Sequence, residues 1–318
     1  MKKTLFCTAL LLLVFLAFSC KKNNSETTTP TLSGLDLDSN HSTFMGIGST
    51  LIVTPDISDI VSSDGKTFPD KIGIYFMLST DTSQRDTTTT DADVSNPPYE
   101  LLLDEPGNYT LYCYAFGGTG FYNASASISF TVVDPATAIT GLPDLPKIDI
   151  ASSTFMTVEL GGKTWMANNL YGTNSGYYYQ DSEILASLFG QYYSWVEAQD
   201  ACPAGWHLPS GEEFDQCLGT VAGNAMVNAQ FVEKDFWNYW PEVPITNSLL
   251  FCALPAGYLD LTLEGAPEDG YRQYACFWTS DSKGDMGEFR YIYEKENRIQ
   301  KGQGDKTTLA LSVRCVKD

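Results

Sequence analysis

The chain is poor in histidine, with two in 318 residues. A metal centre built on imidazoles and a Ser-His-Asp constellation both need that side chain, as ligand or as base, so both are disfavoured. No Cys-x-x-Cys pair occurs, which removes the zinc ribbon and the thioredoxin-type redox site. Basic residues are scarce too, 19 Lys and Arg against 39 Asp and Glu, for a net charge of −20. Such a surface repels phosphate backbones and anionic headgroups, which argues against nucleic acid as a partner.

What is present begins with Lys2 and Lys3, followed by an almost wholly apolar stretch over residues 4–18. Its length suits a signal-peptide core and falls short of the roughly 20 residues of a membrane span. The stretch closes on Leu16-Ala17-Phe18-Ser19-Cys20. A small residue before a lone cysteine resembles a lipobox, although Leu16 sits one place further from the cysteine than the usual pattern. The reading is a signal peptide over 1–19 and lipidation at Cys20. Residues 20–31, polar and without core formers, then make a flexible stalk. The expected location is the outer membrane, at the cell surface, with the membrane touched only through the lipid. Past this leader, no run is apolar and long enough to span a bilayer. Cys113, Cys202, Cys217, Cys252, Cys276 and Cys315 remain, and an oxidising compartment permits disulfides among them.

About 300 further residues correspond to two domains. Residues 32–134 read as an all-β, immunoglobulin-like sandwich. Strand-like runs start near Thr50, Ile72, Tyr109 and Ser127, the last two with period-2 alternation, and polar turns separate them. In the third run, Leu111, Cys113 and Ala115 share one side, which makes Cys113 a small buried thiol. Pro106-Gly107-Asn108-Tyr109-Thr110-Leu111 resembles the start of a strand in bacterial Ig-like and PKD-like modules. Residues 79–98, rich in Thr and Asp, are expected as a long exposed loop. A linker is expected over 135–153, punctuated by Pro135, Gly141, Pro143 and Pro146.

Residues 154–318 mix strands and helices. Val158-Glu159-Leu160-Gly161-Gly162-Lys163-Thr164-Trp165 reads as a hairpin turned at the two glycines. Trp195, Ala198 and Cys202 lie at helical spacing, and Pro203 and Gly205 stop that helix. Ser210 and Glu213 make a capping box for a second helix, with Phe214 and either Cys217 or Leu218 facing the core.

Five ordered segments carry a resemblance: residues 161–170 (GGKTWMANNL), 201–210 (ACPAGWHLPS), 253–258 (ALPAGY), 277–280 (FWTS) and 312–316 (SVRCV). They resemble the FISUMP domain, the Fibrobacter succinogenes major paralogous domain found in exported proteins of Bacteroidota and Fibrobacter. The resemblance implies an α+β, C-type-lectin-like fold for 154–318, so the whole chain is expected to be mixed. It also implies a disulfide between Cys202 and Cys315. A second bridge, Cys252 with Cys276, is expected if residues 249–254 and 274–279 are antiparallel neighbours, and Cys217 is then left free.

The functional expectation is a non-catalytic binding module for an extracellular glycan or protein, adhesion-like in role. A structural subunit of a surface layer or fibre is the alternative. A formylglycine-generating-like enzyme using Cys252 and Cys276 comes last, since no activating base accompanies them. Tyr177, Tyr178, Trp237, Tyr239 and Trp240 lie where the chain departs from the family pattern and are the candidate ligand-binding aromatics. Trp165, Trp195, Trp206 and Trp278 belong to the family motifs and read as core, and His207 as a hydrogen-bonded structural residue. Neither the Glu-Pro-Asn or Gln-Pro-Asp loop nor the Trp-Asn-Asp strand of calcium lectins is present. No cofactor is therefore expected, and Asp260, Glu264, Glu268 and Asp269 are weak calcium candidates.

Overall fold

The computed structural model describes residues 31–40, 44–65, 73–80, 84–90, 98–116, 124–139, 141–227, 230–231, 234–235, 237, 243–263 and 268–318. Alternating sequence sets its first half. The strands there are β1 (Leu32–Ser33), β2 (Asp36–Ser39), β3 (Phe44–Gly46), β4 (Thr50–Asp56), β5 (Val61–Ser62), β6 (Gly73–Thr80), β7 (Gln84–Thr90), β8 (Tyr99–Leu102), β9 (Gly107–Phe116) and β10 (Ala124–Val133). They make a five-stranded sheet, β3-β10-β9-β6-β7, a three-stranded sheet, β2-β4-β8, and the pair β1-β5. Period 2 along β9 turns Leu111, Cys113 and Ala115 inward, all fully buried. They share one core with Leu51 and Val53 of β4, Phe76 of β6 and Phe130 of β10. The expectation of a bare loop over 79–98 is corrected by β7, which runs antiparallel to β6 with Thr90 opposite Ile74. Its threonines are β-branched and suited to a pleated strand.

The segment read as a linker is more structured than its prolines suggest. Asp134 accepts hydrogen bonds from the Ala136 amide at 3.0 Å and the Thr137 hydroxyl at 3.2 Å. Ala138 is buried in the same core as Phe44, Val133, Leu185 and Phe189. The Phe44 and Phe189 rings lie 5.8 Å apart. Further on, β11 (Lys147–Ile150) pairs antiparallel with β12 (Ser153–Leu160), Lys147 opposite Met156.

In the second half, β12 turns through Gly161 and Gly162 into β13 (Lys163–Met166). Both glycines hold φ near the left-handed region, +60° and +77°. A Cβ on Gly161 would lie 2.5 Å from the Cys217 sulfur, so the turn also needs the missing side chain. Next come β14 (Tyr177–Tyr178), the single turn α1 (Ala186–Phe189), β15 (Gln191–Ser194), α2 (Trp195–Ala201), β16 (Trp206–His207) and α3 (Gly211–Leu218). Both longer helices start in full capping boxes, Ser194 with Glu197 and Ser210 with Glu213. The rest is strand: β17 (Gln230–Phe231), β18 (Lys234–Asp235), β19 (Tyr258–Asp260), β20 (Glu268–Asp269), β21 (Tyr274–Lys283), β22 (Met286–Tyr293), β23 (Glu296–Asp305), β24 (Leu309–Ser312) and β25 (Val316–Lys317). One sheet runs β11-β12-β13-β25-β16. The larger runs β14-β15-β24-β21-β22-β23, with β19 on β24 and β20 on β19. The architecture is thus mostly β, in sandwich-like sheets.

Cys202, just past α2, is bonded to Cys315, just before β25, with Cα atoms 5.9 Å apart. The second expected bridge is absent, and Cys252 and Cys276 both remain thiols. Residues 249–254 do not form the strand that the pairing required. Leu250 and Cys252 take φ of 56° and 53°, left-handed values that break an extended run. The neighbours of β21 are β22 and β24 instead.

Candidate ligand-binding cleft

Strand registers gather aromatic side chains on one face of the larger sheet. Cys276 of β21 stands opposite Tyr291 of β22, and Tyr274 opposite Tyr293. Phe289 stands opposite Gly302 of β23. Because side chains alternate across a strand, Tyr274, Cys276, Phe289, Tyr291 and Gly302 share this face. Tyr258 of β19 joins them beside Leu309 and Leu311 of β24. Together with Gln303 these residues line a cleft of about 320 Å³.

The rings form a connected row. Tyr258 and Tyr274 are 6.2 Å apart and nearly edge-on. Tyr274 and Tyr291 are 6.1 Å apart, and Tyr291 and Phe289 are 5.7 Å apart. Tyr293 stacks on Tyr274 at 4.7 Å. All five rings are half-buried. Gly302 permits this arrangement, because a Cβ there would meet the Phe289 ring at 2.3 Å. The phenols carry polar partners at the rim. Tyr258 donates to Asp269 at 3.0 Å, and Tyr291 donates to Gln300 at 3.1 Å. Burial, reinforced by the bond to Asp269, pushes the Tyr258 phenol up to about 12. Cys276 lies fully buried in the floor, and burial holds its thiol well above the ordinary range.

Behind the sheet, Arg314 is 1% exposed, and among the described residues it has no carboxylate partner. Its guanidinium donates to the Asn169 side chain at 2.7 Å, to the Met166 carbonyl at 3.3 Å and to the Cys252 carbonyl at 3.1 Å, and also to the Phe251 carbonyl. It sits over the rings of Phe251 and Phe277, at 4.6 and 5.3 Å. Asn169 in turn donates to the Phe189 carbonyl at 2.7 Å and to the Ser312 hydroxyl at 3.1 Å. This knot ties β13, α1 and β24 together, and so fixes the strand that forms one wall of the cleft.

Hairpin, capped helices, disulfide and knot all fall inside one matched region: the model of the Fibrobacter succinogenes major domain matches residues 158–317. The chain belongs to this family. No curated protein matches it. Among solved structures it is similar to the PKD domain of an M14-like peptidase from Thermoplasmatales archaeon SCGC AB-540-F20. That match has 17% identity and a TM-score of 0.21, and it covers 32% of this chain and 95% of the other.

Within the Fibrobacter succinogenes major domain, the described aromatics among those singled out from sequence have different surroundings. Tyr177 is 40% exposed on β14 and Tyr178 beside it is half-buried. Trp237 is 3% exposed and belongs to the central core, so as a solvent-facing platform it is corrected to a packing residue. Tyr239, Trp240 and the lipidation residue Cys20 lie outside the described residues.

Of the calcium candidates, Asp260 and Asp269 are described with their side chains, and both are hydrogen-bonded. Asp260 accepts from the Thr262 amide at 2.9 Å and from its hydroxyl. Asp269 is engaged by Tyr258 and by the Gly270 amide. Glu264 lies outside the described residues, and of Glu268 only the backbone pairing to Leu259 is described. Among the described residues no three His, Cys, Asp or Glu side chains gather as a metal site. Trp165 and Trp278 are fully buried, as expected of core.

The cleft residues escaped the sequence reading because they come from five separate strands. The signal for them was the phase: Tyr274 and Cys276, and Phe289 and Tyr291, each lie two apart and so on one face.

Proposed function

We propose that this chain is a lipid-anchored protein of the outer membrane that works by binding, not by catalysis. In this reading Cys20 holds the anchor, an immunoglobulin-like unit acts as spacer, and a C-type-lectin-like terminal domain presents the aromatic cleft to an extracellular glycan or protein. The observation that carries the reading is the row Tyr258–Tyr274–Tyr291–Phe289 along an open cleft of about 320 Å³. Half-buried rings with hydroxyls at the rim have the amphipathic character of surfaces that stack on sugar rings or anchor a protein partner. The thiols support the non-catalytic half. Burial pushes Cys252 and Cys276 above their ordinary pKa, the reverse of what an activated nucleophile needs. This weighs against formylglycine-generating-like chemistry.

The test is a glycan-array screen and a surface-protein screen with the purified chain beside its Tyr274→Ala and Tyr291→Ala variants. Selective binding that both substitutions abolish is the expected result. Binding that survives both, or no binding in either screen, overturns the reading.

One observation favours the structural-subunit alternative. Among the described residues, the ten-residue β23 is the last strand of its sheet and pairs with β22 alone. Such an edge is a template for strand addition, although Lys301 on it points the other way, as a charge of the kind that blunts edges. Concentration-dependent sedimentation into oligomers, lost when Gln303 is replaced by Pro, would move weight to assembly.

A further inference from the structure

The cleft has a chemical selectivity that its shape alone does not state. None of its lining residues is charged: Tyr258, Tyr274, Cys276, Phe289, Tyr291, Gly302, Gln303, Leu309 and Leu311. Carboxylates stand outside the lining: adding to burial, Glu294 near Tyr274 and Glu296 near Tyr291 raise those phenols, and two others are engaged. Asp269 accepts from Tyr258 at 3.0 Å and from the Gly270 amide, and Glu288 accepts from Gln303 at 3.3 Å. A cation or an anion entering here would shed its hydration against rings and methyl groups, with no charged side chain in the lining to meet it. An anion would also approach a chain of net charge −20. What such a lining accepts is a neutral molecule with one apolar face and several hydroxyls.

The geometry narrows this further. Tyr293 stacks on one face of Tyr274 at 4.7 Å, and Tyr274 itself is half-buried in the lining of the cleft. A flat C–H face stacks on the exposed part of these rings, while hydroxyls reach the phenol oxygens of Tyr258 and Tyr291. The volume is at the small end of ligand sites, which run from about 300 to 1,000 Å³, so the occupant is short. We propose that the cleft binds one or two rings of a neutral saccharide, held by stacking on Tyr274 and Tyr291. This rests on the binding reading above and goes past it in naming the ligand class.

The test compares short oligosaccharides of different charge. The full chain is titrated by calorimetry with N-acetylglucosamine oligomers (neutral), glucosamine oligomers (cationic) and galacturonic acid oligomers (anionic) of two to four units. A proline-rich decapeptide serves as a non-sugar probe. The expected result is binding of the neutral oligomer at least tenfold tighter than either charged series, with no gain beyond two units. Tyr274→Ala and Tyr291→Ala each weaken it tenfold or more, and Tyr274→Phe restores it to within about threefold.

Gly302→Ala gives an independent readout, because its Cβ would drive the Phe289 ring from its seat. It is expected to weaken binding while leaving both tyrosines in place. Thermal melts of every variant report folding separately. If a charged oligomer or the peptide binds as tightly as the neutral sugar, and binding still needs Tyr274, then the neutral-saccharide assignment falls and the cleft stands as a site. If no probe binds, or if binding ignores all three cleft substitutions, the assignment and the cleft fall together.

Discussion

The Arg314 guanidinium meets the Asn169 side-chain oxygen at 2.7 Å across 145 residues of sequence. It is a buried cation satisfied by neutral acceptors and by two aromatic faces. Burial draws its pKa down to about 9, which still leaves it charged at neutral pH. Removing an acceptor from a buried charge is expensive, because the charge keeps its desolvation penalty and loses its compensation. Asn169→Ala is expected to lower stability by about 2–4 kcal/mol. Arg314→Lys should do comparable damage, since an ammonium cannot reproduce a planar fork that reaches four carbonyl-type oxygens. Urea denaturation of both variants checks this. A change under about 0.5 kcal/mol, the level of an ordinary surface substitution, would mean that the knot is not structural.

The bond between Cys202 and Cys315 closes a loop with a sequence separation of 113. Loop entropy then gives up to about 4–5 kcal/mol, and often less in practice. The double Ser variant is expected to melt well below the wild type, and reduction of the wild type should reproduce that shift. The four remaining cysteines should behave as thiols in the oxidised protein. Cys217, half-buried, donates to the Leu160 carbonyl at 3.4 Å. It should be alkylated first, while Cys113, Cys252 and Cys276 should wait for unfolding. Mass mapping after timed alkylation reads the order directly.

Trp237 and Tyr177 came from the same line of sequence reasoning and have opposite surroundings. Trp237 is 3% exposed and Tyr177 40% exposed. Trp237→Ala should therefore cost about 3–5 kcal/mol as a cavity. Tyr177→Ala should stay within roughly 0.5 kcal/mol, as surface changes do. Paired melts of the two variants separate a packing role from a surface role. Equal effects would contradict the assignment of Trp237 to the core.

What the sequence disclosed depended on how local each signal was. Alternation in 109–116 is a one-strand pattern, and it located Leu111, Cys113 and Ala115 in the core. The box of Ser210 and Glu213 spans a single helical turn, and it located the start of α3. Other features depend on long-range register. Tyr258, Tyr274 and Phe289 become neighbours only once β19, β21 and β22 are aligned, and no local pattern fixes that alignment. Cys252 with Cys276 failed for a related reason: apolar residues over 249–254 suggested a strand, while the backbone there turns through left-handed conformations that composition does not reveal. The partnership of Asn169 with Arg314 lay inside two motifs already recognised, yet residue identity alone does not say which oxygens a buried guanidinium will meet.

His207 stands between two carboxylates, and the consequence is a pH dependence of definite sign. One ring nitrogen lies 3.0 Å from Glu213 and the other 2.7 Å from Asp318, while Lys163 adds a contact to Glu213 at 2.7 Å. Burial alone would lower the His207 pKa, but the two carboxylates outweigh it and the net shift is upward from 6.5. A raised folded-state pKa gives stability that is complete below 6.5 and is lost as pH climbs through the raised value. For Glu213, burial pushes upward, but bonds from Lys163, Ser210 and His207 hold the carboxyl at about 2. Its contribution is present above 4.5 and is lost as pH falls toward about 2. The two windows overlap between roughly pH 4.5 and 6.5, where the cluster contributes most. The His207 side chain is 36% exposed, so solvent screening limits its share to about 1 kcal/mol or less. Wild-type melting temperature should fall between pH 6 and pH 8 by more than that of His207→Gln, and the two curves should converge at the alkaline end. Parallel curves across that interval would show that folding leaves the imidazole pKa unchanged and that its carboxylate neighbours are not what holds it.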